Sequence, residues 1–481
     1  MAEQLRDKVA TGVAWSVAEK VGSMLLQMAV SIIVARLLMP EDVGVMAIMT
    51  FFTALALVVV DSGFSQTLIR KSAPTEDEYK SVFLFNIAVS LILYTVLVAL
   101  APTVARFYGT EAIAQIAPVL FLLLPLNALC VIQNTILTRE FRFDLLSKIN
   151  LTASLVAGIA AIGLAWAGCG IWALVGQRVG TMATRAALLW ATGQRTVGGR
   201  FSAAGLRAMA PFSLRLMLTD IIAALYNNVA QMFIGKMYSA ATLGYFNQAQ
   251  KLKELPVASA MQSVQSVTYP ALANIRDDAP KFAESYRKVL MITAFVMFPV
   301  MVGMIAVAED MFALLLGERW LPTVPYFRVL SLCGLFYPLA MIAYNVLKVG
   351  SDGAIIIRLE IAKKVIMTLL LALTIPHSAM AVAWGLVAMT AIEAGVNIAV
   401  SLRYAKVGAM ALVRTLAPIA LLTAAMFAAV VGVNGVLADW TLGARFSAAV
   451  GTGVAIYAIG AAAFRLEAVG ELREIIARLG R

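Results

Sequence analysis

Residues 36–44 read Arg36-Leu37-Leu38-Met39-Pro40-Glu41-Asp42-Val43-Gly44, and residues 236–244 read Lys236-Met237-Tyr238-Ser239-Ala240-Ala241-Thr242-Leu243-Gly244. Each closes a long apolar run, and the two runs stand two hundred positions apart. The first run carries Ser16, Lys20, Ser23, Gln27 and Ser31 at steps of three or four, which places all five on one helical face. The second carries Asp220, Asn227 and Gln231, in register with Lys20, Gln27 and Ser31. A chain with two like halves, each drawing a polar stripe through apolar sequence, reads as a membrane transporter.

Composition points the same way. Of 481 residues, 61% are hydrophobic and 14% are charged, against roughly 25% charged in an average soluble domain. A helical span needs about 20 apolar residues. Such stretches fall near 12–35, 43–67, 81–105, 113–138, 149–167, 170–191, 208–235, 243–273, 289–307, 323–347, 354–375, 379–402, 411–433 and 443–464. The expected fold is an all-α integral membrane protein of about fourteen transmembrane helices, without a soluble domain.

Orientation follows from Lys and Arg, which accumulate in cytoplasmic loops. With a cytoplasmic N-terminus, the outside turns carry only Arg36, Arg106, Lys236, Arg319 and Arg445. Both termini are therefore expected in the cytoplasm, and the net charge of +11 is mostly topological and needs no nucleic acid to explain it. Cys130, Cys169 and Cys333 supply neither a disulfide framework nor a metal-ligand spacing. The first apolar run is too long for a cleaved signal segment and is expected to be retained.

The repeat continues beyond the opening match. Phe107-Tyr108-Gly109 resembles Leu315-Leu316-Gly317, and the loop after Leu137 resembles the loop after Leu347. This divides the chain into a first six-span lobe at 1–206, a second at 207–408, and two further spans with a charged cytoplasmic tail at 409–481. An even number of spans per lobe gives both copies one orientation, so their symmetry axis should lie along the membrane normal.

Charges within spans are costly and mark a cavity or a partner. Here cations exceed anions. Lys20, Arg178, Arg215, Arg328, Lys363 and Lys364 are the candidates for attracting phosphate, which Arg meets with a planar fork and Lys with a compact charge. Lys20 has a plainer reading as a side chain snorkelling to the interface, and Arg215 and Arg328 as topogenic residues near span ends. Lys363 and Lys364 point about 100° apart, so at most one faces a cavity squarely. Ser16, Ser23, Gln27, Ser31, Asn227 and Gln231 are expected to line a cavity. So are Gln248, Lys251, Ser259, Gln262 and Ser266 of the unusually polar segment 245–275, where Pro256 is expected to kink the helix. Asp220, Glu393 and Asp61 are candidates for a coupling ion, because a carboxyl in low dielectric titrates near neutral pH. Asp61 also reads as an ordinary span-end carboxylate. Arg70-Lys71 followed by Glu76, Asp77 and Glu78 reads as a solvated loop. No nucleophile constellation, glycine-rich phosphate loop or metal motif appears, the outside turns are short, and neither enzymatic activity nor a cofactor is expected.

Several of these stretches together resemble a known group. Ala35–Gly44 followed by Asp61-Ser62-Gly63-Phe64 is similar to the signature of bacterial polysaccharide transporters. These are Wzx-type flippases of the multidrug/oligosaccharidyl-lipid/polysaccharide exporter superfamily. Leu137–Phe143, Gly235–Tyr245, Tyr269–Leu272 and Leu316–Trp320 complete the resemblance, which spans roughly residues 10–405. It implies two six-helix lobes around a central cavity, with two extra C-terminal helices, working by alternating access. The implied substrate is an undecaprenyl-diphosphate-linked oligosaccharide, moved from the cytoplasmic to the periplasmic leaflet of the bacterial inner membrane for O-antigen, capsule or exopolysaccharide synthesis. Membrane lipids and the polysaccharide polymerase and export machinery are the implied partners. The cavity residues above rest on the stripes and not on the resemblance. Within them, Lys20 is expected to supply phosphate attraction and its counterpart Asp220 a coupling or gating carboxylate.

Three rivals remain. A cation-coupled multidrug exporter of the same superfamily would favour acidic over basic span residues. A major-facilitator transporter would carry a Gly/Asp/Arg-rich loop after its second span, which Arg70–Lys80 is not. A non-transporting scaffold of an envelope polysaccharide complex would have no need of polar stripes.

Overall fold

The computed structural model describes residues 22–24, 26–192, 198–351 and 353–479, without the side chains of 259–260, 262–267, 269–271 and 475–479. Contacts divide the chain into two compact units, one ending at Asn247 and one running from Gln248. The first unit holds α1 (Gly22–Leu37), α2 (Pro40–Asp61), α3 (Phe64–Arg70), α4 (Glu76–Tyr108), α5 (Ala112–Leu120), α6 (Leu123–Arg139), α7 (Phe143–Trp166), α8 (Trp172–Ala191) and α9 (Ala203–Met237). Helix α10 (Ala240–Asn274) runs through the division. The second unit continues with α11 (Ala279–Ala306), α12 (Ala308–Leu315), a 3-10 turn (Glu318–Thr323), α13 (Val324–Ser331), α14 (Cys333–Gly350), α15 (Ala354–Thr374), α16 (Ala379–Ala405), α17 (Ala409–Val436), α18 (Leu442–Ala463) and α19 (Glu467–Leu479).

Among the described residues, ten helical stretches are long and apolar enough to cross a membrane, and the chain is a multi-pass membrane protein. The other long helices are α1, α8, α10 and α15. Of these, α8 carries Arg178 and Arg185, and α15 carries Arg358, Glu360, Lys363 and Lys364.

Each unit contains one span made of two pieces. In the first, α5 passes to α6 through Phe121 and Leu122, just beyond Pro118. In the second, α13 passes to α14 at Leu332. The sequence reading treats 113–138 and 323–347 as single spans, and both stretches are interrupted in corresponding places. Small residues form the seam of α7 and α8: Ala153, Ala157, Ala161 and Ala165 lie buried along one face of α7. A Cβ on Gly180 of α8 would stand 3.6 Å from the Ala157 side chain. With lipid as apolar as leucine, such close approach of backbones is what holds spans together.

The two copies of the opening motif meet within the first unit. A Cβ on Gly44 would lie 1.7 Å from the carbonyl oxygen of Ala240, and one on Gly244 would lie 1.9 Å from that of Pro40. Residue 44 meets 240 and residue 244 meets 40, so the contact is reciprocal across the repeat. Only glycine permits this approach. The turn from α2 to α3 has the same logic. Ser62 and Gly63 are both left-handed (φ 49° and 68°), and a Cβ on Gly63 would stand 2.7 Å from the Ser213 carbonyl oxygen of α9. The Thr67 and Ser213 hydroxyls lie 2.7 Å apart beside it.

Polar side chains fasten the remaining ends. Thr75 and Glu78 form a reciprocal capping box at the start of α4 (3.3 and 3.0 Å), and Lys71 pairs with Glu78 at 2.5 Å. The acidic stretch read as a solvated loop thus begins a helix, with Glu78 buried, because its carboxylate satisfies otherwise orphaned backbone donors. Arg139, from the Leu137–Phe143 motif, donates to the carbonyls of Leu68, Ile69, Lys71 and Ser72 and so closes the C-terminus of α3.

Candidate functional site

Within the first unit, α2, α3, α6 and α9 surround a cavity of about 430 Å³. Its polar lining is Asp61, Ser65, Asn127, Asn134, Thr135, Thr138 and Asp220; Leu57, Val58, Ile69 and Val131 supply the apolar wall. Asp61 closes α2, where the left-handed turn sends the chain back as α3, so that Ser65 donates to Asp61 Oδ1 at 2.6 Å. Helix α6 contributes Asn127, Val131, Asn134 and Thr138 at steps of four, three and four, one face of a helix. From α8, Arg185 Nη2 donates to Asn134 Oδ1 at 3.1 Å. Asp220 enters the same space from α9. Among the described residues, Asp220, Asn127 and Thr138 make no side-chain hydrogen bond or ion pair.

The chemistry of this lining is selective. Carboxylates only accept hydrogen bonds, amides both donate and accept, and hydroxyls do either. No cation lies among the lining residues. Two carboxylates facing one space repel an anion and draw hydrogen-bond donors or a cation.

A second polar cluster lies in the second unit, midway along α15 and α16. Lys363 is 5% exposed. Its Nζ meets Glu360 Oε1 at 2.5 Å, one turn earlier on α15, and Glu393 Oε1 of α16 at 3.0 Å. The Tyr344 ring of α14 lies 5.0 Å from the same ammonium. Buried charges persist in a bilayer when paired in this way. The Lys348 ammonium lies over the same Tyr344 ring at 4.7 Å, and the Lys363 charge is turned onto the two carboxylates.

The structure distributes the other expected residues widely. Ser23 and Gln231 are buried, Ser31 is half-buried, and Gln27 and Asn227 are exposed. Gln248 is buried, and its Nε2 has no partner. Arg178, Arg215 and Lys251 are exposed and Lys364 is half-buried. Arg328 stands 3.6 Å from Glu309, with both side chains largely exposed. Ser16 and Lys20 lie outside the described residues, and so do the side chains of Ser259, Gln262 and Ser266. The structure therefore brings Asp61 together with Asp220, and Lys363 with Glu393. Sequence reasoning passed over Ser65, Asn127, Asn134, Thr135, Thr138 and Glu360. The helical spacing of the α6 residues was a signal that could have revealed them.

A family model described as polysaccharide biosynthesis protein matches residues 33–325. The chain belongs to that family. ExoT of Rhizobium meliloti (strain 1021), a succinoglycan biosynthesis transport protein, is 23% identical over 337 residues, 69% of this chain and 68% of ExoT. WzxC of Escherichia coli (strain K12), a lipopolysaccharide biosynthesis protein, is 24% identical over 343 residues, 69% of this chain and 68% of WzxC. Among solved structures, the lipid II flippase MurJ in an inward closed conformation superposes with a TM-score of 0.71 at 16% identity, covering 94% of this chain and 98% of MurJ. An inward-facing multidrug resistance MATE transporter of the MOP superfamily superposes at 0.61 with 18% identity, over 82% of this chain and 96% of that one. The polysaccharide-biosynthesis family expected from the motifs is thereby shown, and the two solved structures share its fold. ExoT is named as a transport protein, MurJ as a flippase and the MATE protein as a transporter.

Proposed function

We propose that this family member is a flippase that moves undecaprenyl-diphosphate-linked oligosaccharide from the cytoplasmic to the periplasmic leaflet of the bacterial inner membrane by alternating access. The observation that carries the reading is family membership joined to a polar cavity inside an apolar helical protein. Charged and hydroxylated headgroups cannot cross hydrocarbon unsolvated, and such a lining replaces their water. The ten apolar spans with α1, α8, α10 and α15 make fourteen, arranged as lobes 1–206 and 207–408 with 409–481 appended and both termini cytoplasmic. Phosphate attraction falls to Lys20 and to Arg178, Arg215, Arg328 and Lys364, the last four of which do not line the cavity just described. Coupling falls to Glu393 with Glu360 and Lys363.

Deleting the gene tests this reading. A lipid-linked glycan should accumulate on the cytoplasmic leaflet and surface polysaccharide should fall; absence of any such glycan sinks it. A second reading, a cation-coupled multidrug exporter, draws on the Asp61–Asp220 pair, which would suit an organic cation. It requires drug sensitivity on deletion with polysaccharide unchanged.

A further inference from the structure

The cavity of Asp61 and Asp220 sorts the two parts of a lipid-linked sugar. We propose that it receives hydroxyl groups of the glycan and excludes the diphosphate. The inference rests on the flippase reading and assigns one moiety of that substrate to one site.

Size and lining both argue for it. At about 430 Å³ the cavity falls within the range of small-molecule sites, ~300–1,000 Å³. Its volume corresponds to on the order of fourteen waters at ~30 Å³ each, far more than one bare cation fills. Among the described residues, no group of three or more His, Cys, Asp or Glu stands ready to hold a metal ion. Asp61 and Asp220 ask for hydrogen-bond donors, and a sugar presents a row of them. Asn127 offers an amide that donates and accepts, as the alternating roles of vicinal hydroxyls require, and Thr138 a hydroxyl that can follow either. These side chains are not committed elsewhere, while Asn134 is held in place by Arg185. Leu57, Val58 and Val131 form an apolar wall for the C–H face of a sugar ring. A diphosphate brought to the same place would confront two carboxylates on the lining, with the Arg185 guanidinium set behind it and turned onto Asn134.

The test uses the full chain purified in detergent, with saturation-transfer NMR reading binding of methyl glycosides of glucose, galactose, mannose and N-acetylglucosamine. Inorganic pyrophosphate and sodium chloride serve as competitors. At least one glycoside should receive saturation from the wild-type protein. Its affinity should fall at least tenfold in Asp61→Ala, Asp220→Ala and Asn127→Leu, each checked for native thermal unfolding. Asp61→Asn and Asp220→Asn, which keep a hydrogen-bonding carbonyl, should bind more tightly than the alanine variants. Pyrophosphate should not displace the glycoside. The proposal is overturned if no glycoside binds, if pyrophosphate binding depends on these residues, or if sodium displaces the glycoside and Asn proves as damaging as Ala. That last result would make the cavity a cation site. Glycoside binding with no lipid-linked glycan accumulating on deletion would instead defeat the flippase reading alone.

Discussion

Lys363 illustrates how a single side chain changes meaning once its neighbours are known. In the sequence it is an intramembrane cation suited to phosphate, and Glu393 is a separate carboxylate suited to a coupling ion. Their Nζ and Oε1 atoms lie 3.0 Å apart, so the two act as one unit. Removing one partner of a fully buried pair costs about 3–5 kcal/mol, and the loss of Lys363 costs less than that because the Glu393 and Glu360 side chains are 29% and 40% exposed. Lys363→Met should therefore lower the thermal unfolding midpoint markedly, and adding Glu360→Gln and Glu393→Gln should restore most of it. If the single variant unfolds with the wild type, the network contributes nothing to stability. Periodicity places Lys363 and Glu393 on their helices, yet it holds no information on which face of α15 meets which face of α16. Long-range pairing of this kind stays hidden in one sequence.

At the scale of helices, small residues and caps decide how elements meet. Gly44 and Gly244 bring the starts of α2 and α10 into backbone contact, and no side-chain movement can relieve a Cβ placed there. Gly44→Val and Gly244→Val should each lose several kcal/mol, as overpacking against backbone does, and should show it as poor membrane yield and early thermal unfolding. Wild-type behaviour in either would contradict the crossing. Arg139→Ala should release the end of α3, since it strips donors from four carbonyls; cleavage by added protease near Lys71 measures that release. Arg139→Lys should recover only part, because one ammonium does not reproduce the planar fork. Both features sit in motifs visible in the sequence. The motifs were legible, but their mechanical roles depend on partners far along the chain. The polar face of α6 was legible too, and its regular spacing was passed over because hydropathy dominates that stretch.

For the whole molecule, hydropathy and the placement of Lys and Arg carried the all-helical membrane class, whereas the halves of the broken spans read as continuous. The C-terminal helix α19 shows a further level of order. Glu467 accepts two hydrogen bonds from Arg287 of α11 (2.8 and 2.6 Å), and Glu471 meets Lys288 at 2.7 Å. The Arg287 guanidinium holds the Glu467 carboxyl below the ordinary carboxylate range. Such a group stabilises fully above its unfolded pKa, about 4.3, and loses that contribution as pH falls through the lower folded value. Both partners are partly exposed (27% and 46%), so the pair contributes about 1 kcal/mol or less and is screened by salt. Acidification below about pH 4 and molar salt should each speed proteolytic removal of α19, and Glu467→Gln should abolish most of the pH effect. Equal rates at pH 3 and pH 7 would mean that the helix is held by Leu466 and Ala468 against the core of its unit instead.

The reciprocal meeting of Gly44 and Gly244 carries a consequence for motion. A joint made of carbonyl oxygen against Cα contains no compressible side chains, so it behaves as a bearing. Roll of one helix about the contact point disturbs few atoms. A slide of one turn, about 5.4 Å along the axis, would bring the next residues of the same helical face, Ala47 or Ile48 of α2, against the opposing carbonyl in place of glycine. Rotation is therefore the soft direction at this point and translation the hard one, and any rearrangement that passes through it must turn.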